Sequence, residues 1–96
     1  MKEITINQIK DVHQCKYSFM GYKYAKDKIN PEDYKTVAYF DVEDKDNNKI
    51  LNWLWNVGND GTLQKDYEMR SISMSDVITI DGTAYYVDTF GFKEVE

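Results

Sequence analysis

The chain has few of the residues that stabilise small domains through disulfide bonds or bound metal ions. Its 96 residues include one cysteine and one histidine. A single cysteine cannot form an intramolecular disulfide, so a reducing compartment fits best. His13 and Cys15 cannot complete a zinc site by themselves, and no orienting group accompanies them for nucleophilic catalysis. The sequence therefore predicts no metal site and no cofactor.

Chain breakers and long apolar runs are also scarce. One proline and five glycines argue against a disordered or low-complexity chain. The first ten residues, MKEITINQIK, lack the apolar run of a signal peptide, and no stretch is long enough to span a bilayer. A chain of this length buries about 60–65% of its unfolded surface, enough for one modest core. We expect a single domain over residues 1–96, located in the cytoplasm and not bound to a membrane.

Acidic residues outnumber basic ones, and their distribution is uneven. Residues 1–35 carry seven basic and five acidic side chains, whereas residues 36–96 carry five basic and twelve acidic ones. Direct nucleic-acid binding requires basic patches, so it is not predicted. The acidic part would attract a basic protein partner instead. Its candidate contacts are Asp41, Glu43, Asp44 and Asp46, although the same charges can serve only to keep a small protein soluble.

The hydrophobic pattern of the first half predicts more strands than helices. Ile4 and Ile6 alternate with polar neighbours, which indicates a short strand. Asn7 is a candidate cap for a brief helix that follows it. Residues 16–25 and residues 36–42 show the period of two that is typical of strands, and a polar break precedes the second of them.

The second half predicts one short helix and a terminal hairpin. Leu51 and Leu54 belong to a wide apolar face, with Asn48 as a cap and Gly58 as a stop, although the weak helix propensity of tryptophan leaves a strand open here. Asp81-Gly82 is a hairpin signal between two strands, and a third short strand follows. The predicted class is α+β, a small antiparallel, curled sheet with one or two short helices that ends in a β-hairpin.

One acidic stretch partly matches a calcium loop. Asp44, Asp46 and Asn48 occupy the first, third and fifth positions of that loop. Lys49 replaces the glycine needed for the sharp turn, and Trp55 replaces the bidentate glutamate. The stretch is therefore predicted to be a turn.

The serine-rich stretch before the hairpin raises a choice between a chemical site and a turn. Ser71, Ser73, Ser75 and Asp76 can hydrogen-bond neighbouring backbone groups, as turn residues do. A serine nucleophile would need a neighbouring base, and the sequence offers none nearby. We predict a structural turn. For Arg70 and Asp88 two possibilities are open: an ion pair across the hairpin, or an Arg70 that is free for a partner.

The same stretch carries a resemblance. RSISMSDVI followed by YYVDTFGF resembles the signature of the YodL-like family, through these positions: Arg70, Ser71, Ser73, Ser75, Asp76, Val77, Tyr85, Tyr86, Val87, Asp88, Gly91 and Phe92. PEDYKTVAYF and ILNWLWNVGND resemble upstream family segments more loosely. Met69 departs from the glycine that the family tends to have there, and the resemblance does not extend to the first 30 residues.

The resemblance implies a function class and a cellular setting. YodL-like domains are small and occur in proteins of phages, plasmids and conjugative elements, with no established enzymatic activity. It implies a non-enzymatic protein-binding module in a bacterial host cell. We expect an inhibitor of a host defence protein, of the anti-CRISPR or anti-restriction type, that binds through its acidic surface. The alternative is a regulator or accessory domain that binds a host cytoskeletal or replication protein through exposed aromatic residues. Arg70 and Asp88 are further candidate contacts, and the oligomeric state is left open.

Overall fold

The computed structural model describes residues 1–95 and contains one five-stranded antiparallel sheet with one long helix. The strand order is β2-β1-β3-β4-β5, and every neighbouring pair is antiparallel. The predicted α+β class is confirmed. The elements are β1 (Lys2–Ile9), α1 (Tyr22–Ala25), β2 (Tyr34–Val42), α2 (Asn47–Asn59), β3 (Val77–Ile80), β4 (Thr83–Val87) and β5 (Phe92–Val95), with 3-10 turns at Pro31–Asp33 and Leu63–Lys65.

The main core lies between one face of the sheet and α2. Alternate residues of a strand point to the same face, so Ile4 and Ile6 of β1 share a face with Ile78 of β3. Leu51 and Leu54 of α2 pack against this face and are fully buried. Each such side chain contributes about 1.5–3 kcal/mol to folding.

The first strand is longer than the sequence pattern predicts. β1 continues to Ile9, so the predicted helix after Asn7 is wrong. The reason is tertiary: β1 is paired on both sides, with β2 and with β3. The Asn7 side chain does not cap a helix but donates to the Val77 carbonyl at 3.1 Å.

The segment between β1 and β2 covers part of the opposite face of the sheet. Tyr17 and Ala25 from this segment are buried against Ile9 and Tyr86. The predicted strand over residues 16–25 is wrong, because the segment consists of turns and the short helix α1. Its alternating aromatic residues are ambiguous, since an alternating pattern also suits a coil that packs on a neighbouring surface. Phe19 has φ of 61°, which lies outside the strand region.

The predicted helix is confirmed, but its ends differ from the prediction. α2 begins at Asn47, one residue before the predicted cap Asn48, and Gly58 lies inside it. Gly58 is needed for close packing, because a Cβ there would lie 2.3 Å from Cδ1 of Ile72. Its role is therefore to let the Ile72 side chain pack against the backbone of α2, rather than to stop the helix.

The three terminal strands are confirmed. Ile80 pairs with Thr83, so the loop between β3 and β4 has only the two residues Asp81 and Gly82. Both have positive φ, 49° and 85°, as the tight turn of a two-residue hairpin requires. Within the described residues, no helix combines the length and the apolar character needed to cross a membrane.

Candidate protein-docking surface

Carboxylates from three parts of the chain meet at one end of the sheet. Asp41 of β2 lies opposite Glu3 of β1. Asp81 follows β3 and is tied to Glu3, because the Glu3 amide donates to Asp81 Oδ1 at 2.8 Å and the Asp81 amide donates to the Glu3 carbonyl at 2.9 Å. The connection from β2 to α2 adds three more acidic residues. We call this group the acidic end: Glu3, Asp41, Glu43, Asp44, Asp46 and Asp81, all of them exposed.

The acidic end contains the four acidic residues that the sequence singles out, together with two that it does not. Asp41, Glu43 and Asp44 are neighbours in the sequence, so their proximity is expected. Glu3 and Asp81 join them only because β1 lies between β2 and β3. The Asp-Gly turn signal locates Asp81 at a strand end, but the strand order is needed to place that end beside Glu3.

A single lysine fastens the connection that carries three of these carboxylates. Lys2 Nζ donates to the Lys45 carbonyl at 2.6 Å and to Asn47 Oδ1 at 2.8 Å. The same atom lies 3.8 Å from Asp44 Oδ1, in the one ion pair found within residues 1–95. Most carboxylates of the acidic end therefore keep their charge available to a partner.

An open groove of about 440 Å³ lies beside the acidic end, between the end of β2 and the first turns of α2. Its apolar wall is formed by Met1, Val42, Ile50 and Trp53, and charged side chains of both signs line its rim. We call it the Trp53 groove. The Trp53 ring is 46% exposed and meets Phe40 edge-on at a centroid distance of 6.5 Å. The residue type alone does not distinguish this exposed tryptophan from the buried residues on the apolar face of the helix.

The carboxylates of the acidic end affect the ionisation of a neighbouring tyrosine. The pKa of Tyr39, which lies on β2 two residues before Asp41, is raised above its usual value. The main cause is the negative charge of Glu3, and that of Asp41 adds to it. Glu3 and Asp41 themselves stand directly opposite each other, an arrangement of like charges that destabilises a sheet.

Arg70 and Asp88 both lie at the end of the sheet that is opposite the acidic end, near Ile9, Val77 and Val87. We call it the motif end. Arg70 is exposed, and its Nη2 donates to the Ile9 carbonyl at 3.2 Å. Asp88 Oδ1 accepts from the Tyr22 amide at 2.8 Å and from the Thr89 amide at 2.7 Å. The two side chains form no ion pair with each other, so that arrangement is wrong. Their role in partner binding stays a prediction.

The serine-rich stretch forms a hydrogen-bonded turn just before β3. The Ser73 amide donates to Asp76 Oδ2 at 3.0 Å, and Gln8 Nε2 donates to the same oxygen at 3.1 Å. Ser75 has φ of 81°, and its hydroxyl oxygen accepts from the Phe19 amide at 3.0 Å. Ser71, just ahead of the turn, is exposed. Burial raises the pKa of Asp76 to about 6, against the opposing effect of the hydrogen bonds from Ser73 and Gln8.

Three apolar side chains project from the motif end. Phe90, in the turn between β4 and β5, is 93% exposed, and Phe19 and Met20 are 45% and 40% exposed. The two segments are joined, because the Tyr86 hydroxyl donates to the Met20 carbonyl at 2.6 Å. We call Phe19, Met20 and Phe90 the apolar tip. The sequence gives no sign that any of the three side chains is exposed.

Comparison with family models identifies the fold family. The model of the YodL-like domain matches residues 3–96. The chain belongs to the YodL-like domain family. The match begins within β1, so the YodL-like domain also includes residues 3–30, contrary to the extent predicted from the motifs. The physical reason is that β1 is an interior strand, paired with both β2 and β3, and that its Gln8 binds the motif residue Asp76. Neither the curated proteins nor the solved structures yield a match.

Proposed function

We propose that this YodL-like domain is a non-enzymatic protein-binding module of a mobile genetic element, and that it inhibits a host defence protein of the anti-CRISPR or anti-restriction type. The observation that carries the proposal is the acidic end, where six exposed carboxylates gather beside the Trp53 groove. A nucleic-acid-binding cleft is lined with lysine and arginine, so it complements such a surface.

Binding at this surface combines a charge term with an apolar term. The carboxylates would steer a basic partner and select it against acidic ones, since electrostatic complementarity acts mainly on association rate and specificity. The exposed Trp53 ring offers the type of anchor that dominates binding energy at protein interfaces. The occupied cleft could then no longer hold its nucleic acid.

The engagement of the motif carboxylates supports binding rather than catalysis. Asp76 is 1% exposed and accepts hydrogen bonds from Ser73 and Gln8. Asp88 accepts from two backbone amides. Both groups are occupied in holding local structure. Turnover of a substrate that is lost in Asp88→Ala, with the fold intact, would contradict the non-enzymatic proposal.

The test compares two variants with the same change of charge. Asp41→Asn, Glu43→Gln and Asp44→Asn remove three of the six charges of the acidic end. Asp27→Asn, Asp66→Asn and Glu68→Gln remove three exposed charges elsewhere. Each protein is used to capture partners from a nuclease-treated bacterial lysate at low and at high salt. The captured protein is then purified and assayed for binding to its nucleic acid in the presence of the domain.

We expect the wild type and the control variant to capture a basic nucleic-acid-binding protein at low salt and to displace its nucleic acid. The acidic-end variant should lose both effects, because each removed charge weakens an attraction that salt also screens. Capture that is equal for the two variants, or a captured protein that keeps its nucleic acid, would contradict the proposal.

A second candidate function is favoured by the apolar tip. The Phe90 side chain is 93% exposed, so it can serve as an apolar anchor. The domain would then be a regulator or accessory domain that binds a host cytoskeletal or replication protein. Such capture would survive high salt and the acidic-end variant, and it would be lost in Phe90→Ala.

A further inference from the structure

The backbone around Phe19 is anchored although the side chains of the apolar tip are exposed. The Phe19 backbone has φ of 61°, an uncommon conformation for a residue with a side chain, and its amide is held by the Ser75 hydroxyl at 3.0 Å. Gly21 allows the two segments to touch, because a Cβ there would lie 2.7 Å from Thr89 Oγ1. Strain and close packing are thus used to present apolar side chains to solvent, an arrangement found at recognition sites.

The surroundings of the apolar tip are basic. Residues 10–28, which include Phe19 and Met20, carry five lysines and two aspartates. Lys16 and Lys23 are exposed on either side of Phe19 and Met20 in the sequence. The carboxylate of Asp88 lies within the same region, but it is engaged by the Tyr22 and Thr89 amides. The apolar tip therefore complements a surface that combines an apolar groove with carboxylates.

The acidic end of the same molecule is such a surface. It lies at the other ends of the strands, because Lys2 pairs with Val42 there whereas Val87 pairs with Phe92 at the motif end. The apolar tip thus cannot reach the Trp53 groove of its own chain. At about 440 Å³, the groove offers room for one aromatic side chain of another molecule.

We propose that a second copy of this chain places Phe90 in the Trp53 groove of the first. The contact is head-to-tail, with the exposed lysines of residues 10–28 facing the carboxylates of the acidic end. Because a pair of copies keeps one free tip and one free groove, further copies can add, which gives either a ring or an open chain. The contact area of one tip and one groove is small, so we expect weak binding, with a dissociation constant on the order of 10⁻⁴ M.

This self-association does not depend on a foreign partner. It uses the Trp53 groove that also serves the proposed function, so a bound copy would compete with a host protein for the same site. Self-association is measured on the purified chain without any other protein, so a negative result would leave the proposed function unaffected.

The first measurement is a concentration series of amide NMR spectra of the labelled full chain. Head-to-tail contact shifts two separate sets of signals as concentration rises: Phe90 and its neighbours, and the Trp53 indole with Val42 and Glu43. High salt should reduce both sets of shifts together. Signals that do not change with concentration up to about 1 mM, ten times the expected dissociation constant, would overturn the proposal.

The decisive measurement mixes two variants that are each defective at one end. Labelled Phe90→Glu mixed with unlabelled Trp53→Ala should show shifts only in its groove, and the reverse labelling should show shifts only in the apolar tip. Neither variant should change with concentration alone, and Tyr24→Ala, which removes another exposed aromatic ring, should behave as the wild type. If Trp53→Ala does not fold, the exposed charge reversals Asp41→Lys and Glu43→Lys replace it. A symmetric contact, in which Phe90→Glu alone abolishes every shift and the mixture restores none, would overturn the proposal.

Discussion

The acidic end and the motif end of this sheet treat their polar groups in opposite ways. At the motif end, Gln8, Ser75 and Asp76 are each 1% exposed and bind one another or the nearby backbone. At the acidic end the six carboxylates are exposed, and two of them face each other across neighbouring strands. A buried polar group needs a hydrogen-bond partner, because burying it without one costs free energy. An exposed charge is solvated by water and can still contact another molecule.

The difference separates the residues that build this YodL-like domain from those to which the proposed function assigns recognition. The motif residues that make the family recognisable build the turn before β3 and anchor it to β1 and β4. The two surfaces that carry the proposed function, the Trp53 groove and the acidic end, consist of residues outside the motif. The recognisable motif thus identifies the family through residues that hold the fold together.

The largest expected effect of a single change at the motif end is that of Gln8→Ala. Gln8 Oε1 accepts from the Arg70 amide at 3.0 Å, and its Nε2 donates to the Arg70 carbonyl and to Asp76. The truncation leaves these groups without that partner in a buried place and opens a cavity. We expect a loss of at least about 3 kcal/mol in the free energy of unfolding, measured by urea denaturation.

Gln14→Ala is the matched control for this change. Gln14 is exposed, so the same truncation should alter stability by less than about 0.5 kcal/mol. Similar small losses for both variants would mean that the buried network contributes little and that the contrast between the two ends is mistaken.

The parts of the fold that follow from local rules could be predicted from the sequence. The Asp81-Gly82 turn specifies its own backbone, and the strands on either side alternate cleanly. The apolar face of α2 repeats with the helical period, so the helix is predicted even though its ends are not. The turn before β3 follows in part from local chemistry, because the Asp76 carboxylate accepts from the Ser73 amide three residues earlier. The Ser75 hydroxyl instead accepts from the distant Phe19 amide, which the sequence does not indicate.

The parts that depend on strand order could not be predicted. Residues 16–25 alternate like a strand, but Tyr17 and Ala25 are buried on the sheet as a coil and a short helix. Gln8 gives no sign in the sequence that it will bind Asp76, a residue 68 positions away. Glu3 and Asp81 join the acidic end for the same non-local reason. Candidate sites formed within one segment could be predicted from the sequence, and sites formed across several strands could not.

The pH dependence of stability should distinguish the two ends next. The pKa of Asp76 is raised from 3.8 to about 6 in the folded chain, first of all by burial. The folded state therefore holds its proton more tightly, and this contribution to stability is complete below about pH 4 and is lost as the pH rises to about 6. The loss amounts to about 2–3 kcal/mol.

Asp76→Asn isolates this contribution, because asparagine stays neutral and can still accept from Ser73 and Gln8. Urea denaturation at about pH 4 and pH 7 should show the variant gaining about 2–3 kcal/mol on the wild type over that interval. A difference between variant and wild type that is independent of pH would show that Asp76 ionises in the folded chain as easily as in the unfolded one.

The smallest effect, and one of opposite sign, is expected at the acidic end. Asp41→Asn removes the charge opposite Glu3, so it should raise the free energy of unfolding by about 0.5 kcal/mol. High salt should abolish the gain, because it screens exposed charges. Asp66→Asn, which neutralises an exposed carboxylate elsewhere, should show no such gain. Destabilisation by Asp41→Asn would mean that this carboxylate supports the sheet. Stabilisation, together with weaker capture of a basic partner by the acidic-end variant that contains the same substitution, would mean that the domain keeps a repulsive pair at the expense of stability because the pair serves binding.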